Sequence, residues 1–252
     1  MDNGKEKLKK RFTELARRCE TRRTWTYSDF LNINEQSVLH SMDRYELPSG
    51  YVLRGGYDGA ERAIACFGSE EMCGYEPQPP VVCVKAEPLS QKFSDKLTHR
   101  DILGAVMSLG IEREVTGDIL ISENCGYIMC LEKIAGYIAS ELTSIKHTSV
   151  RCTTSEQLPE QAAPELKEAG LVIPSQRLDA VVAAVYKLSR GESQRLFSQG
   201  KIFINGKNTT RQSAMPDSGD IVSVSGCGRF IYDGIERETK KGRLRVNVRV
   251  YK

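Results

Sequence analysis

The chain has 252 residues, with 36 Lys and Arg against 33 Asp and Glu, so its formal net charge is only +3. This length can hold one large domain or two to three small ones. No apolar run approaches the roughly 18 residues of a membrane-spanning helix, and the charged start lacks the apolar stretch of a secretion signal. We therefore expect a cytoplasmic protein without a membrane span.

The eight cysteines do not form a recognisable metal or disulfide pattern. None belongs to a Cys-x-x-Cys pair, no His lies at ligand spacing, and most lie in apolar strand-like runs, as Cys83 and Cys130 do. Buried free thiols in a reducing compartment are favoured over zinc ligands or disulfides. We expect neither a metal nor a cofactor.

The first 76 residues predict a small α/β region. Residues 5–23 have a narrow apolar stripe and many Lys and Arg, which indicates a basic amphipathic helix. A solvated helix face is favoured over an RNA contact for these charges. The aromatic residues Trp25, Tyr27 and Phe30 follow, and their density is typical of a core anchor rather than of base stacking.

Residues 34–42 predict a short helix capped by Asn34, and residues 50–54 predict a strand. The glycine-rich segment 55–59 does not open a convincing helix, so a turn is favoured over a phosphate-binding loop. Prolines at 77, 79 and 80 mark a domain boundary.

Residues 79–154 predict a second domain in which strands and helices alternate as β-α-β-β-α-β. This is the ferredoxin-like order, which RNA-recognition modules also use. Those modules stack bases on aromatic residues of the central strands, whereas here the first strand has none and the third has only Tyr127. The pattern therefore argues against base stacking, and a protein contact or a positioning role is an equal alternative.

The triplet His99-Arg100-Asp101 has two interpretations. It resembles acid–base chemistry, but no nucleophile pattern accompanies it. Thr98 and Asp101 also have the spacing of a capping box at a helix start, with Gly110 as the helix stop. The cap is the favoured interpretation.

Residues 154–176 contain three prolines and several glutamates, which predicts a linker with at most one short helix at 164–169. After it, apolar residues at helical spacing predict a helix over 176–188, and Leu196 and Phe197 belong to a second short helix. Asn205-Gly206 predicts a tight hairpin, because both central residues of that turn need positive φ. Three further strands follow, and the last, Leu244–Tyr251, has a basic row facing outward.

Charge is distributed unevenly along the chain. Residues 174–252 hold 15 Lys and Arg against 7 Asp and Glu, a net of +8, whereas residues 1–173 hold 21 against 26, a net of −5. Clustered Lys and Arg on a small rigid domain can neutralise RNA phosphates, although a solvated basic face is an equal alternative for charge alone. The candidate RNA-binding residues are Arg177, Lys187, Arg190, Arg195, Lys201, Lys207, Arg211 and Arg229.

The order Arg177-Leu178-Asp179, Ser189-Arg190, the run from Gly200 to Lys207 and Gly219-Asp220 resembles the S4-type RNA-binding domain, also called the alpha-L motif. The resemblance implies binding to structured RNA through two helices and the loop before the hairpin. It assigns RNA-facing positions to Arg177, Arg190, Arg195, Lys201 and Lys207. Asp179 fits a structural pair with a nearby Arg.

The run from Leu97 to Ile121, together with Gly55-Gly56-Tyr57 and Ala60-Glu61-Arg62, resembles the YlmH-type RNA-binding proteins of Gram-positive bacteria. This resemblance spans almost the whole chain. It implies a non-enzymatic protein that binds rRNA and tRNA on the large ribosomal subunit, in quality control of subunits obstructed by peptidyl-tRNA. A scaffold linked to cell division is the alternative that the family also keeps open.

Enzyme relatives of the S4-type domain fit less well. Pseudouridine synthases carry a nucleophilic Asp in an Arg-Leu-Asp triplet of a separate domain, but the triplet at 177–179 opens the RNA-binding helix here. ATP-binding motifs of a synthetase and the glycine-rich loop of a methyltransferase are not visible in the sequence. A modifying enzyme or its accessory is therefore the third choice.

Overall fold

The computed structural model describes residues 2–251 and has the predicted α+β class. Its internal contacts divide the chain into two compact units, the first ending at Ala163 and the second beginning at Pro164. The predicted regions 1–76 and 79–154 both fall in the first unit. The predicted C-terminal domain, residues 174–252, falls in the second.

The helices of the first unit are α1 (Asp2–Arg22), α2 (Ile33–His40), α3 (Glu70–Cys73), α4 (His99–Ser108) and α5 (Glu132–Glu141). Its strands are β1 (Thr26–Leu31), β2 (Tyr51–Arg54), β3 (Ala63–Phe67), β4 (Val81–Pro88), β5 (Thr116–Ser122), β6 (Cys125–Leu131), β7 (Ser144–Ile145) and β8 (Thr148–Ser155). Strands β1 to β3 form one sheet and β4 to β8 form another.

The N-terminal sheet is antiparallel with β3 in its centre, between β1 and β2. Helix α1 lays its apolar stripe on this sheet, and Phe12 and Cys19 are fully buried as predicted. The rings of Phe12 and Phe67 lie 5.8 Å apart. Trp25 and Phe30 are buried as well, which confirms them as core residues.

The cap of helix α2 differs from the prediction. Asn32, and not Asn34, is the N-cap, because its side chain accepts from the backbone N–H groups of Asn34 and Glu35. The Glu35 carboxylate accepts from the backbone N–H of Asn32 in return, at 2.7 Å. Asn32 and Asn34 are separated by one residue in the sequence, and the hydrogen bond returned by Glu35 selects the first of them as the cap.

The second sheet of the first unit confirms the predicted ferredoxin-like order. Its strand order is β5-β6-β4-β8, and the short strand β7 adds a hairpin at the β8 edge. Helices α4 and α5 cover one face, where Ile102, Ile128 and Ile138 are fully buried. Thr98 and Asp101 form the predicted capping box of α4.

The opposite face of this sheet packs against the N-terminal sheet. All seven residues of β6 are buried, because Ile128 and Cys130 face the helices whereas Tyr127 and Met129 face Phe30 and its neighbours. The two sheets approach closely at Gly117, where a Cβ would lie 2.7 Å from the Phe30 ring. The side chain of Tyr127 is therefore part of a core and cannot stack on a base.

The second unit contains helices α6 (Leu178–Tyr186) and α7 (Arg190–Ser198). Its strands are β9 (Leu166–Ile173), β10 (Ile202–Ile204), β11 (Lys207–Asn208), β12 (Asp220–Val224), β13 (Gly228–Glu238) and β14 (Leu244–Tyr251). They form one antiparallel sheet in the order β11-β10-β12-β13-β14-β9. Both helices pack on one face of it, where Phe197, Phe230, Tyr232 and Val246 are fully buried.

The prediction of a linker over 154–176 with a helix at 164–169 is wrong for its second half. Leu166–Ile173 is a strand that pairs with the whole of β14, from Leu244 opposite Ile173 to Tyr251 opposite Leu166. Most of its residues are exposed, which is typical of an edge strand, and only Ala169, Leu171 and Ile173 pack on the core, at alternate positions. The strand forms because β14 offers it an edge.

The structure also defines the state of each cysteine. All eight cysteines are free thiols; five of them are buried and Cys227 is exposed. Burial raises the pKa of the Cys66 and Cys130 thiols to about 12.

Over residues 2–251, no helix has the length and apolar character needed to cross a membrane.

Candidate nucleic-acid interface

Helix α6 is fixed at its start by a distant loop. The backbone N–H of Leu178 donates to the carbonyl of Ala214 at 2.8 Å, and that of Asp179 donates to the carbonyl of Gln212 at 3.3 Å. These bonds satisfy two of the N–H groups that a helix start leaves unpaired. The loop therefore holds Arg211, the residue before Gln212, near the first turn of α6.

The junction of α6 and α7 is built from a left-handed residue and a capping box. Lys187 ends α6 with φ 53° and ψ 41°. Ser189 and Glu192 then form a reciprocal cap, in which the Glu192 carboxylate accepts from the Ser189 N–H at 2.8 Å. Ser193 donates its hydroxyl to the carbonyl of Asp179 at 2.9 Å inside the protein, so the two helices are held together.

Arg177 and Asp179 form the structural pair that the sequence predicts. The Arg177 guanidinium donates from Nε at 3.0 Å and from one terminal nitrogen at 2.8 Å to the two carboxylate oxygens. Asp179 is buried, and the bond from Arg177 lowers the pKa of its carboxyl. Arg177 therefore contributes to the fold through this salt bridge, and two fifths of its side chain is exposed to solvent.

Arg190 and Arg195 are both exposed on α7, at its first position and five residues later. An α-helix turns about 100° per residue, so the two side chains leave the helix about 140° apart. Arg190 therefore lies towards α6, where its charge helps to lower the pKa of Asp179. Arg195 lies on another side of α7, so the two charges point in different directions.

The Asn205-Gly206 hairpin is confirmed. Asn205 and Gly206 have φ of 48° and 77°, and Ile204 pairs with Lys207 across the turn. The Asn205 amide also donates to the carboxylate of Asp220 at 2.7 Å, which ties the turn to β12. Lys207 therefore stands at the tip of a rigid hairpin.

Lys201 lies at the other end of the same hairpin, between the end of α7 and the start of β10. Its N–H donates to the carbonyl of Leu196 and its carbonyl accepts from Ser225, both at 3.0 Å or less. The side chain is exposed. Since strands rise about 3.3 Å per residue, Lys201 lies about 10 Å along the hairpin from Ile204, the residue that pairs with Lys207.

Arg229 has an aromatic partner. It is on β13, in register with Ser223 of β12, and its guanidinium lies 4.3 Å from the centre of the Tyr251 ring. The outward basic row of β14 is confirmed in position but is neutralised by acidic partners. Arg245 pairs with Glu236 at 2.9 Å and Arg249 forms a two-pronged pair with Asp233.

Besides Arg229, six candidates remain without an acidic partner in the part of the chain that the structure describes. Within residues 2–251, none of their side chains makes an ion pair, and all six are exposed: Lys187, Arg190, Arg195, Lys201, Lys207 and Arg211. They lie on α6, α7, the β10–β11 hairpin and the loop that is bonded to α6. We call these six residues the basic surface.

Comparisons with known proteins found a family model for a part of each unit and a relative that covers most of the chain. A family model described as an S4 domain matches residues 176–222, and one described as a putative RNA-binding domain in YlmH matches residues 87–158. The ribosome-associated protein quality control protein P2 of Bacillus subtilis (strain 168) is 30% identical over 226 residues, which is 87% of this chain and 84% of that protein. The chain belongs to the YlmH family.

One solved structure is also similar, the cell division protein ylmH from Streptococcus pneumoniae. It has 21% sequence identity and a TM-score of 0.47, and the match covers 60% of this chain and 90% of that one.

The motifs typical of the YlmH family meet in the first unit around Asp118. Its carboxylate accepts from the Tyr57 hydroxyl at 2.6 Å and from the backbone N–H groups of Glu61 and Arg62 at 2.7 and 3.0 Å. The glycine-rich segment 55–59 is thus a turn, as predicted, and it is held against the start of β5. Asp118 lies within the run from Leu97 to Ile121, so both parts of the motif serve one contact.

Two arginines complete this contact. Arg62 donates to the carbonyls of Phe30, Arg113 and Thr116, and Arg113 donates to those of Thr116 and Gly117. Burial lowers the pKa of both guanidinium groups, that of Arg113 to about 10. In this YlmH-family protein, both guanidinium groups donate to backbone carbonyls. The motif therefore joins the two sheets of the first unit and does not form a phosphate-binding site.

The triplet at 99–101 is a helix start in this YlmH-family protein, as favoured from the sequence. The Asp101 carboxylate accepts from the Thr98 backbone N–H at 2.9 Å and from the Lys146 ammonium at 2.8 Å. Bonds from Lys146 and then from Thr98 lower the pKa of Asp101. His99 and Arg100 are exposed on the first turn of α4.

Sequence reasoning missed several residues that position the basic surface. Ser193 joins α6 to α7, and the Asn208 amide donates to the carbonyls of Gly200 and Ile202, at 2.6 and 3.2 Å. Both are small polar residues with no charge or motif to distinguish them. Only the fold shows that they hold the helices and the hairpin in one arrangement.

Proposed function

We propose that this protein binds structured RNA of the ribosome, rRNA together with tRNA, through the basic surface of its second unit. One observation carries the proposal. The other arginines of this sheet and of the α6 start have carboxylate or aromatic partners, whereas no residue of the basic surface makes an ion pair with any other residue from 2 to 251. Uncompensated Lys and Arg on a rigid scaffold are suited to phosphates, which they contact without reading sequence.

The family supports a place for this binding. The Bacillus subtilis relative is named as a ribosome-associated quality control protein. By that relationship we propose that the present protein binds the large ribosomal subunit in the cytoplasm when the subunit is obstructed by peptidyl-tRNA. The first unit positions the second or contacts protein, because the face that RNA-recognition modules use for stacking is buried here.

The protein acts without catalysis in this proposal. The one triplet that suggested acid–base chemistry caps a helix, and the Arg-Leu-Asp triplet at 177–179 holds a salt bridge in which Asp179 is engaged on both oxygens. Purified protein incubated with rRNA or tRNA should leave every nucleotide unmodified by mass spectrometry. A modified nucleotide that depends on the protein would contradict this part of the proposal.

The test of binding uses the double variant Arg190→Ala with Arg195→Ala. Its sedimentation with large subunits through a sucrose gradient, with and without RNase, should be weakened, and titrations at several salt concentrations should show a slope lower by about 2 in log K against log salt. The matched control is Lys240→Ala with Lys241→Ala, which removes two exposed charges from the β13–β14 turn of the same unit.

Unchanged affinity and slope in the arginine variant, with normal circular dichroism, would place the RNA contact elsewhere. The basic face of α1 is then the next surface to test.

A further inference from the structure

A groove of about 440 Å³ opens in the second unit between the end of β9 and helix α6. Its volume lies within the range of roughly 300–1,000 Å³ that is usual for small-ligand sites. The groove is lined entirely by residues of this unit, and it opens beside the α6–α7 junction, where the basic surface begins.

The floor of the groove is a strip of small apolar side chains. Ala180, Ala183 and Ala184 follow one another at helical spacing on α6, so their methyl groups lie on one side of the helix. Val172, which is half exposed, and Leu188 stand at the two sides. Methyl groups in such a row make a flat surface that suits a planar ring.

The charged residues that line the groove are Arg177, Asp179 and Arg190, so positive charge exceeds negative there by 2 − 1 = 1. Arg177 is held by both oxygens of Asp179, so the edge of its guanidinium is fixed and its planar face remains available to stack. Arg190 is exposed and has no ion-pair partner within residues 2–251, so it can meet a phosphate. Unstacked RNA bases are known to pack on guanidinium planes as well as on aromatic rings.

We infer that the groove receives one unpaired nucleotide of the RNA bound by the basic surface, with its base on the alanine strip and its phosphate at Arg190. The inference rests on the proposed RNA-binding function and adds a preference to it. Phosphate contacts alone do not distinguish paired from unpaired RNA, whereas an apolar groove with a stacking face favours a base that has left the helix.

The test compares two short RNA hairpins of equal length, one fully paired and one with a single unpaired nucleotide. The full-length protein should bind the second hairpin at least about fivefold more tightly, since stacking of one base contributes that much or more. Ala183→Phe fills the groove without changing charge and should remove the preference while leaving binding of the paired hairpin unchanged.

Two further variants keep the result interpretable. Arg177→Lys retains the charge but removes the planar face, so it should reduce the preference as Ala183→Phe does. Ser140→Phe adds a similar bulk to an exposed position of α5 in the first unit and should preserve the preference. Thermal unfolding of each variant shows whether the fold is intact.

The outcomes separate the groove from the basic surface. If the wild-type protein binds both hairpins equally and in a salt-dependent way, the inferred role of the groove is wrong and the proposed RNA-binding function is retained. Binding of neither hairpin nor the large subunit would overturn both. If Ala183→Phe loses subunit binding but keeps the hairpin preference, the groove takes a protein and the inference fails.

Discussion

At the scale of single residues, the structure separates arginines that hold the fold from arginines that are available to a ligand. Arg177, Arg245 and Arg249 are paired with carboxylates, and Arg62 and Arg113 donate to backbone carbonyls. A count of charges in the sequence does not distinguish these arginines from those that are available to a ligand. The basic surface is the group of unpaired candidates on α6, α7, the hairpin and the adjoining loop, and it is smaller and more local than the net charge of +8 suggests.

Asp179 gives a pH-dependent prediction. The hydrogen bond from Arg177 lowers the pKa of its carboxyl in the folded protein. The resulting stability is therefore present above the unfolded pKa of about 4 and is lost as the pH falls through the folded value. Asp179→Asn should lower the free energy of unfolding by about 1–3 kcal/mol at neutral pH, and the gap to wild type should shrink in acid.

Urea unfolding of both proteins at several pH values measures that gap. Asp217→Asn, a change at an exposed carboxylate of the same unit, is the control. A gap that stays constant down to the most acidic pH would show that the pair with Arg177 is not what stabilises the start of α6.

Asp118 gives a prediction for the first unit. Asp118→Ala removes the acceptor of the Tyr57 hydroxyl and of two backbone N–H groups, and it removes one of the carboxylates near two half-buried arginines. The free energy of unfolding should fall by about 3 kcal/mol or more. Asp58→Ala, in the same loop but exposed, should change it little, and similar losses in both would argue against the network.

At the scale of secondary-structure elements, close packing between the two sheets explains a glycine of the family motif. A Cβ on Gly117 would lie 2.7 Å from the Phe30 ring and 2.9 Å from Cβ of Met129. Gly117→Ala should therefore destabilise the first unit by about 1–3 kcal/mol through overpacking. The measurement is thermal or urea unfolding of the full-length protein.

Gly136 provides a matched control for that change. It lies in the interior of α5, and a Cβ there meets nothing within 4 Å. Gly136→Ala should stabilise the protein by about 0.5–1 kcal/mol, because alanine favours a helix over glycine. Opposite signs for the two substitutions are expected, and a stabilising effect at Gly117 would mean that the sheets do not meet there.

Strand β9 shows why a sequence pattern can fail to predict an element. Only Ala169, Leu171 and Ile173 face the core, and the exposed apolar residues Leu166 and Val172 obscure that alternation in the sequence. Its eight pairs with β14 involve residues about 80 positions away along the chain. The same pairing carries Ile173 into the core beside α6, and it forms one side of the groove.

At the scale of the whole molecule, the segment that joins the two units should be the site of proteolysis. A protease specific for glutamate should cleave after Glu165 and release a soluble C-terminal fragment. It should leave Glu168 intact, although that side chain is also exposed, because Glu168 belongs to β9 and is paired with Arg249 of β14. Early cleavage at Glu168, or fragments cut only within the units, would contradict this division.

The sequence by itself determined the features that depend on neighbouring residues. Helical spacing predicted α6, Asn205-Gly206 predicted the hairpin because its φ values are local, and alternation predicted β14. The order of strands and helices was sufficient for the ferredoxin-like sheet. Together with the spacing of the basic residues, these local signals predicted most of the S4-type unit and its candidate interface.

Tertiary structure alone decided the features that depend on distant partners. Burial of the Tyr127 face requires a second sheet from the N-terminal region, and strand β9 requires the edge of β14. The separation of available from neutralised arginines requires carboxylates brought close by folding, as Asp233 is to Arg249. Pairing across a sheet and between charges is set by distance in space, which a linear pattern of residues does not contain.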